Sequence, residues 1–207
     1  MQIRHIVVGE FATNCYIISA QEGARCIIID PADAGERIHA LLQEEGLTPE
    51  AVLLTHGHYD HFLAVPALQE QWPDLPVYCH PLDCQKEKTE YDMGRVFPTV
   101  TAFANRRPLA DGQKLELCGY LIEVLHTPGH TPGSVTFRVE DVLFTGDILF
   151  RGSIGRTDFA GGDDARMRES LTRIVSLKGD YRVLPGHEQE TTLERERKYN
   201  PYLRMLR

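Results

Sequence analysis

A short run of histidines, within residues 55–61, constrains this chain more than any other feature of its sequence. The run reads Thr-His-Gly-His-Tyr-Asp-His and follows the apolar residues 51–54, which are typical of a buried strand. His56, His58 and His61 cannot share one face of a helix, because side chains two positions apart point to different sides. In a loop that leaves a strand, these imidazoles can converge with the neighbouring aspartate, and such a set binds first-row metal ions. The sequence therefore predicts a metal-binding loop at the end of a strand.

Three further apolar strands end in the same manner, with a glycine directly before a side chain that can bind a metal. These side chains are His130, Asp147 and His187. Glycine lets the backbone turn sharply at such points. Loops at one edge of a sheet can hold polar groups over a rigid base, so we expect these residues to meet the loop 55–61 there.

The resulting set of candidate ligands is too large for one metal ion. Its members are His56, His58, Asp60, His61, His130, Asp147 and His187. A tetrahedral site with an open position uses three protein ligands. The larger set suits two metals bridged by one carboxylate, and two metals about 3.5–4 Å apart can share a hydroxide with a pKa of about 7. We therefore predict two divalent metal ions per chain and hydrolysis by metal-bound hydroxide, with zinc expected first and iron or manganese as alternatives.

Four motifs together resemble the signature of the metallo-β-lactamase superfamily. They are residues 55–61, Thr-Pro-Gly-His-Thr-Pro-Gly-Ser at 127–134, Phe-Thr-Gly-Asp at 144–147, and Pro-Gly-His at 185–187. The resemblance implies an α/β fold, the αβ/βα sandwich, in which two mixed sheets pack face to face with helices outside. Segment 152–159 and the tail 195–202 are similar to the short bacterial branch of type II glyoxalases, the hydroxyacylglutathione hydrolases.

The resemblance also implies a role for each ligand. The implied arrangement is His56, His58 and His130 on the first metal, Asp60, His61 and His187 on the second, and Asp147 as the bridge. It further implies cleavage of a thioester, S-lactoylglutathione or a related hydroxyacyl thioester, with Asp60 and Asp147 as catalytic residues. Attack on the thioester carbonyl develops an oxyanion that a metal can stabilise.

The sequence departs from the long glyoxalases where those enzymes hold glutathione. Arg156 stands in place of a lysine and Asp158 in place of a tyrosine, and Glu188-Gln189 replaces Glu-Tyr. We predict that Arg156 contacts the substrate. The sequence does not determine whether the thiol half of the substrate is glutathione. Segment 155–159 also resembles persulfide dioxygenases, which bind one iron through two histidines and one carboxylate. A mononuclear iron persulfide dioxygenase is therefore the alternative function.

The order of strands and helices favours one domain, residues 1–207, made of two similar sheet-and-helix halves. Asp33 is predicted to cap the first helix, and 91–108 is predicted to be irregular. The predicted strands are 3–8, 14–19, 25–30, 51–54, 77–79, 114–117, 120–125, 134–139, 142–145 and 182–184. The predicted helices are 33–46, 62–72, 81–88, 163–177 and 190–199.

Composition disfavours several other classes of protein. A formal net charge of −8 disfavours sequence-independent binding to nucleic acid, which requires a basic surface. No apolar run approaches the ~20 residues of a membrane span, and the N-terminus lacks the apolar region of a signal peptide. The 5 cysteines include no Cys-x-x-Cys pair, which is typical of reduced thiols. We expect a cytoplasmic enzyme with a small-molecule thioester substrate and neither a nucleic-acid nor a membrane partner, and the oligomeric state stays open.

Overall fold

Two six-stranded sheets form the centre of the fold. The structure is a computed structural model that describes residues 1–20, 25–84 and 103–206. The strands of the first sheet, in chain order and also in spatial order, are β1 (Gln2–Val8), β2 (Thr13–Ser19), β3 (Arg25–Ile29), β4 (Thr48–Leu53), β5 (Val77–Cys79) and β6 (Arg106–Pro108). The β1–β2 and β2–β3 pairs are antiparallel, whereas β3, β4, β5 and β6 pair in parallel, so this sheet is mixed.

The second sheet is mixed as well. The remaining strands, in chain order, are β7 (Lys114–Leu117), β8 (Tyr120–His126), β9 (Val135–Val139), β10 (Val142–Gly146), β11 (Leu149–Phe150), β12 (Ser153–Ile154), β13 (Arg182–Pro185) and β14 (Thr191–Thr192). β11 and β12 pair with each other as a small hairpin, and the others form the second sheet in the order β14–β13–β10–β9–β8–β7. In that sheet β10 and β13 are parallel and the other pairs are antiparallel.

Helices cover the outer faces of both sheets. They are α1 (Gly35–Glu44), α2 (Val65–Gln71), α3 (Pro81–Cys84), α4 (Asp164–Val175), α5 (Leu193–Tyr199) and α6 (Pro201–Arg204), with a 3-10 turn at Tyr59–His61. Ile38 of α1 and Leu68 of α2 share a hydrophobic cluster with the first sheet. Leu171 of α4 and Leu193 of α5 share another with the second sheet. Within the described ranges, every helix is too short or too polar to cross a membrane.

A third hydrophobic cluster lies between the two sheets. Ile27 and Ile29 of β3 meet Phe137 of β9 there, and all of them are at most 1% exposed. Ile28, between them in sequence, points instead into the cluster beneath the outer helices. A strand buried on both faces is continuously apolar, which explains why β3 shows no alternation of apolar and polar residues. The predicted αβ/βα sandwich is therefore confirmed, whereas a single domain over residues 1–207 stays a prediction.

Three of the predicted local features are wrong. The predicted helix 190–199 begins only at Leu193, because residues 191–192 pair with β13 as strand β14. Asp33 does not cap α1, because the N-cap residue is Ala34, which has a φ of 53° and makes no side-chain capping bond. The predicted irregular stretch 91–108 ends in a strand, since residues 106–108 pair with β5 through their backbones while their side chains stay exposed. Such pairing leaves no apolar pattern in the sequence. The part of that stretch before residue 103, and the end of the predicted helix 81–88, lie outside the described residues.

A buried carboxylate, that of Glu196 in α5, ties the C-terminal helices to the hairpin β11–β12. Its side chain is 0% exposed. One oxygen accepts hydrogen bonds from Thr191 Oγ1 and Arg195 Nη1, both at 2.6 Å. The other accepts from the Gly152 N–H at 2.7 Å and from Asn200 Nδ2 at 2.9 Å. Burial alone would raise the pKa of Glu196, but these hydrogen bonds outweigh it and hold the pKa below its ordinary value.

Replacing this carboxylate, Glu196→Ala, is expected to lower the free energy of unfolding by about 2–4 kcal/mol, because buried donors lose their acceptor. Urea denaturation at pH 7 measures the change. The difference from wild type should shrink at acid pH, since a carboxylate with a lowered pKa stabilises the fold above its ordinary pKa and loses that effect as the pH falls. Glu194→Ala, exposed on the same helix, is the control and should stay within about 0.5 kcal/mol. Equal stability of Glu196→Ala and wild type would contradict this assignment.

Candidate metal centre

The loops that follow β4, β8, β10 and β13 meet in one place and carry all the predicted ligands. Ligand atoms lie within 4.8 Å of one another in three groups: His56, His58 and His130; His56, His61 and Asp147; and Asp60, His61 and His187. The groups share members, so the predicted ligands form one cluster. Their convergence agrees with the expectation from the sequence, and the binding of a metal by each of them stays a prediction.

Asp147, which is 9% exposed, occupies the middle of this cluster. Its Oδ2 lies 3.4 Å from His130 Nε2 and 3.5 Å from His187 Nε2. Its Oδ1 lies 3.6 Å from His61 Nε2. Asp60 Oδ2 lies 3.4 Å from His187 Nε2, on the side of the second predicted metal. Asp147 therefore faces ligands of both predicted metals, which is the position that a bridging carboxylate requires.

Several buried ligand atoms have no hydrogen-bond partner in the described part of the chain, among them His56 Nε2, His61 Nε2 and Asp147 Oδ1. A buried polar atom without a partner costs about 1–3 kcal/mol. Their concentration in one cluster indicates that the missing partner is a group other than the polypeptide. Imidazole nitrogens and carboxylate oxygens bind zinc, iron and manganese. The donor set therefore fits divalent metal ions.

Asp30, directly after β3, orients two of the histidines and was not among the predicted site residues. Its buried carboxylate accepts hydrogen bonds from the Thr55 N–H (2.8 Å), Thr55 Oγ1 (2.6 Å) and His61 Nδ1 (2.9 Å). Thr55 Oγ1 in turn accepts from His56 Nδ1 at 3.1 Å. These bonds hold the hydrogens on Nδ1, so Nε2 of both rings faces the cluster with its lone pair. An aspartate between an apolar strand and a proline is the signal that could have identified it.

Backbone carbonyls orient two other histidines. His130 Nδ1 donates to the Arg156 carbonyl at 2.8 Å. His187 Nδ1 donates to the Phe11 carbonyl at 3.1 Å. Buried Asn14 holds the loop of His187, because its Nδ2 donates to two carbonyls of that loop, both at 2.9 Å. A hydrogen bond from the outer ring nitrogen fixes the tautomer and the direction of a metal-binding imidazole.

Asp83, in α3, joins the two loops that carry the first predicted group of ligands. Its Oδ2 accepts from the Gly57 N–H at 2.9 Å and from Thr131 Oγ1 at 2.6 Å. Its Oδ1 accepts from the Gly133 N–H at 2.7 Å. The approach requires glycine, because a Cβ at Gly133 would lie 2.5 Å from the Asp83 carboxylate carbon. Nothing near Asp83 in the sequence signals this role, since its partners lie far away in the chain.

The carboxylates of the cluster raise the pKa of the nearest imidazoles. Burial lowers the pKa of His61, but neighbouring carboxylates, first that of Asp60, outweigh burial and raise the pKa to about 9. Burial opposes the same change at His187, where hydrogen bonds to Asp147 and Asp60 raise the pKa to about 10. At His58, burial and an adjacent imidazole lower the pKa to about 3. The part of the cluster beside Asp60 and Asp147 therefore attracts positive charge, and divalent metals bind by displacing protons from such ligands.

A cleft of about 730 Å³ opens over the cluster, and Arg156 lies in its wall. The Arg156 side chain donates two hydrogen bonds to the Asp158 carboxylate, at 2.7 and 2.8 Å. Its guanidinium carbon lies 3.7 Å from the centre of the Phe159 ring. The predicted substrate residue is thus beside the ligands, and its contact with a substrate stays a prediction.

Comparisons with known proteins agree with this geometry. A model of the metallo-beta-lactamase superfamily matches residues 8–187. The chain is 36% identical over 209 residues to hydroxyacylglutathione hydrolase GloC of Haemophilus influenzae, covering 98% of each chain. The crystal structure of BLEG-1 B3 metallo-beta-lactamase superposes with a TM-score of 0.90 at 35% identity, covering 98% of this chain and 99% of that one. TTHA1623 in a di-iron-bound form superposes with a TM-score of 0.82 at 41% identity, covering 97% and 100%.

The chain therefore belongs to the metallo-β-lactamase superfamily, and the predicted resemblance is confirmed. Members of this superfamily are mostly metal-dependent hydrolases. The His and Asp cluster lies where the loops converge, at the site expected for divalent metals in this fold.

The role of Asp83 can be tested with Asp83→Asn, which removes one acceptor oxygen at nearly constant size. Zinc affinity is expected to fall about 10- to 100-fold, because the loops that carry the histidines lose a shared support. Competition with a chromogenic chelator measures the affinity. Asp74→Asn, at an exposed aspartate outside the cluster, is the matched control. An Asp83→Asn variant that folds and binds zinc as tightly as wild type would show that the contact is incidental.

Proposed function

We propose that this chain is a dinuclear metal-dependent hydrolase that cleaves thioesters, S-lactoylglutathione or a related hydroxyacyl thioester. The observation that carries the proposal is the position of Asp147 between two groups of ligands beneath an open cleft. The relative named hydroxyacylglutathione hydrolase supports the substrate class, and the neighbour in a di-iron-bound form supports two metals.

In this proposal His56, His58 and His130 would hold the first metal, and Asp60, His61 and His187 would hold the second. Asp147, which faces both groups, would be the ligand that they share. Two bound divalent metals would supply a Lewis acid for the thioester carbonyl and lower the pKa of bound water to about 7. Imidazole and carboxylate ligands accept zinc, which we favour, and also iron or manganese.

The chain itself holds the ligands and admits the substrate. Asp30 and the Arg156 carbonyl keep the lone pairs of His61 and His130 directed into the cluster. The thioester would enter through the cleft that opens over the cluster. The departing thiolate needs no proton donor, because the pKa of a thiol is about 8.5.

The setting of this activity is proposed to be the cytoplasm, with a small-molecule substrate and neither a nucleic-acid nor a membrane partner. The net charge of −8 supports the exclusion of nucleic acid. One domain spanning residues 1–207 is part of the same proposal.

Metal analysis and a thiol-release assay test the proposed function together. The purified chain is expected to bind about two metals and to release free thiol from S-lactoylglutathione or another hydroxyacyl thioester. Asp147→Asn should bind less than the full complement and lose more than about 100-fold in kcat/KM, exceeding the loss from a residue that only supports a ligand. Asp74→Asn is the control. A chain with both metals bound and no turnover across a panel of thioesters would refute the proposal.

Arg156 is proposed to contact the substrate through its side chain, while its carbonyl orients His130. Arg156→Ala keeps the carbonyl, so KM should rise about 3- to 10-fold, the effect of one lost polar contact, with a smaller change in kcat. Steady-state kinetics with one thioester separates the two parameters. Arg166→Ala, on the exposed face of α4, is the control. A fall in kcat alone would place Arg156 in the chemical step instead.

The alternative function is that of a mononuclear iron persulfide dioxygenase. It is favoured by one group of the cluster, His56, His61 and Asp147, because two histidines and one carboxylate suit a non-haem iron. One iron per chain and oxygen uptake with glutathione persulfide would support this alternative. Two zinc ions per chain without oxygen uptake would exclude it.

A further inference from the structure

The cleft over the metal cluster has aromatic walls. Its apolar lining residues include Phe11, Tyr59, Phe150, Ile154 and Phe159. The centre of the Phe159 ring lies 6.2 Å from that of His58, a ligand of the first proposed metal. The centre of the Phe150 ring lies 6.3 Å from that of His187, a ligand of the second. Aromatic surface therefore flanks both sides of the position where a scissile bond would lie.

Outside the proposed metal ligands, the charges of the cleft wall do not favour an anionic substrate. Among the described residues that line it, Arg156 is the one arginine or lysine, and the Asp158 carboxylate already pairs with it. Glu188 adds an exposed carboxylate to the lining. Glutathione carries more carboxylates than ammonium groups, so its thioesters would meet a wall without surplus positive charge. Like charges repel over distances within the Debye length, about 8 Å at physiological salt.

We propose, resting on the proposed thioesterase function, that the cleft selects hydroxyacyl thioesters with an aromatic or branched apolar acyl group on an uncharged thiol, rather than thioesters of glutathione. Phe150 contacts the acyl group by apolar and edge-to-face packing, whereas Phe159 lies beneath the Arg156 guanidinium on the side of the thiol half. The paired Arg156 and Asp158 offer the thiol half a polar surface of balanced charge, and Glu188 repels carboxylates at the lining. This narrows the substrate class of the same site.

The test uses the full chain loaded with zinc and a set of thioesters that vary one half at a time. The two acyl groups are lactoyl, which carries a methyl group on its hydroxyl-bearing carbon, and mandeloyl, which carries a phenyl group there. Each is joined to glutathione and to N-acetylcysteamine, an uncharged thiol. Thiol release is followed with a chromogenic disulfide. With either thiol, kcat/KM for the mandeloyl ester should exceed that for the lactoyl ester at least about 10-fold. With either acyl group, N-acetylcysteamine esters should exceed glutathione esters about 3-fold or more.

Variants connect these preferences to the cleft. Phe150→Leu should lower the mandeloyl-to-lactoyl ratio about 2- to 10-fold, the range for one aromatic contact. Its control is Tyr199→Leu, since Tyr199 is 58% exposed and lies outside the cleft.

Glu188→Gln should raise the ratio of glutathione to N-acetylcysteamine esters about 2- to 5-fold, by removing one repulsive charge. Its control is Glu190→Gln, because Glu190 pairs with Arg182 and does not line the cleft. This control should leave the ratio unchanged.

The outcomes separate the two proposals. Hydrolysis of the set with S-lactoylglutathione as the best substrate would overturn the inference and leave the thioesterase function intact. The inference would also be overturned, with the thioesterase function intact, if Phe150→Leu left the mandeloyl-to-lactoyl ratio unchanged and Glu188→Gln left the ratio of glutathione to N-acetylcysteamine esters unchanged. No hydrolysis of any ester by the chain loaded in turn with zinc, iron and manganese would overturn the proposed function and the inference with it.

Discussion

The candidate metal centre depends on the close approach of two loops, the one after β10 and the one after β13, around the carboxylate of Asp147. Asp147 follows β10 and His187 follows β13, and these strands are parallel neighbours in the second sheet. The backbone of Gly186, directly before His187, packs so closely against the Asp147 side chain that a Cβ at Gly186 would lie 2.3 Å from Asp147 Oδ1. The register of β10 against β13 therefore sets the distance between the Asp147 carboxylate and the His187 imidazole. Any side chain at Gly186 would displace the Asp147 carboxylate.

The two sheets contribute different parts of the cluster. His56, His58 and His61 follow a strand of the first sheet, whereas His130 follows a strand of the second. The apolar cluster between the sheets fixes the relative position of these loops. A metal that binds ligands from both sheets would bind the folded chain in preference to the unfolded one, so its binding free energy adds to the stability of the sandwich.

The sequence is informative about the ligands because each one follows an apolar strand through a tight turn, and such patterns are local. It is much less informative about Asp30 and Asp83, whose hydrogen-bond partners are 25 to 50 residues away in the chain. The fold was predictable from apolar runs and motifs, but β6 was missed because exposed side chains hide backbone pairing. Asp33 was misassigned because a helix can begin at a left-handed residue without a side-chain cap.

The hydrogen bonds of α5 have a consequence for how such a chain can diversify. Glu196 holds Gly152 and Asn200 holds the carbonyl of Ser153, only a few residues before the Arg156 carbonyl that orients His130. The tail thus sets the path of a segment that is at once cleft wall and ligand support. Substitutions in the C-terminal helices can change the shape of the cleft while every predicted ligand is retained. The shape of the cleft and the orientation of His130 are therefore coupled through the tail, although the tail carries none of the predicted ligands.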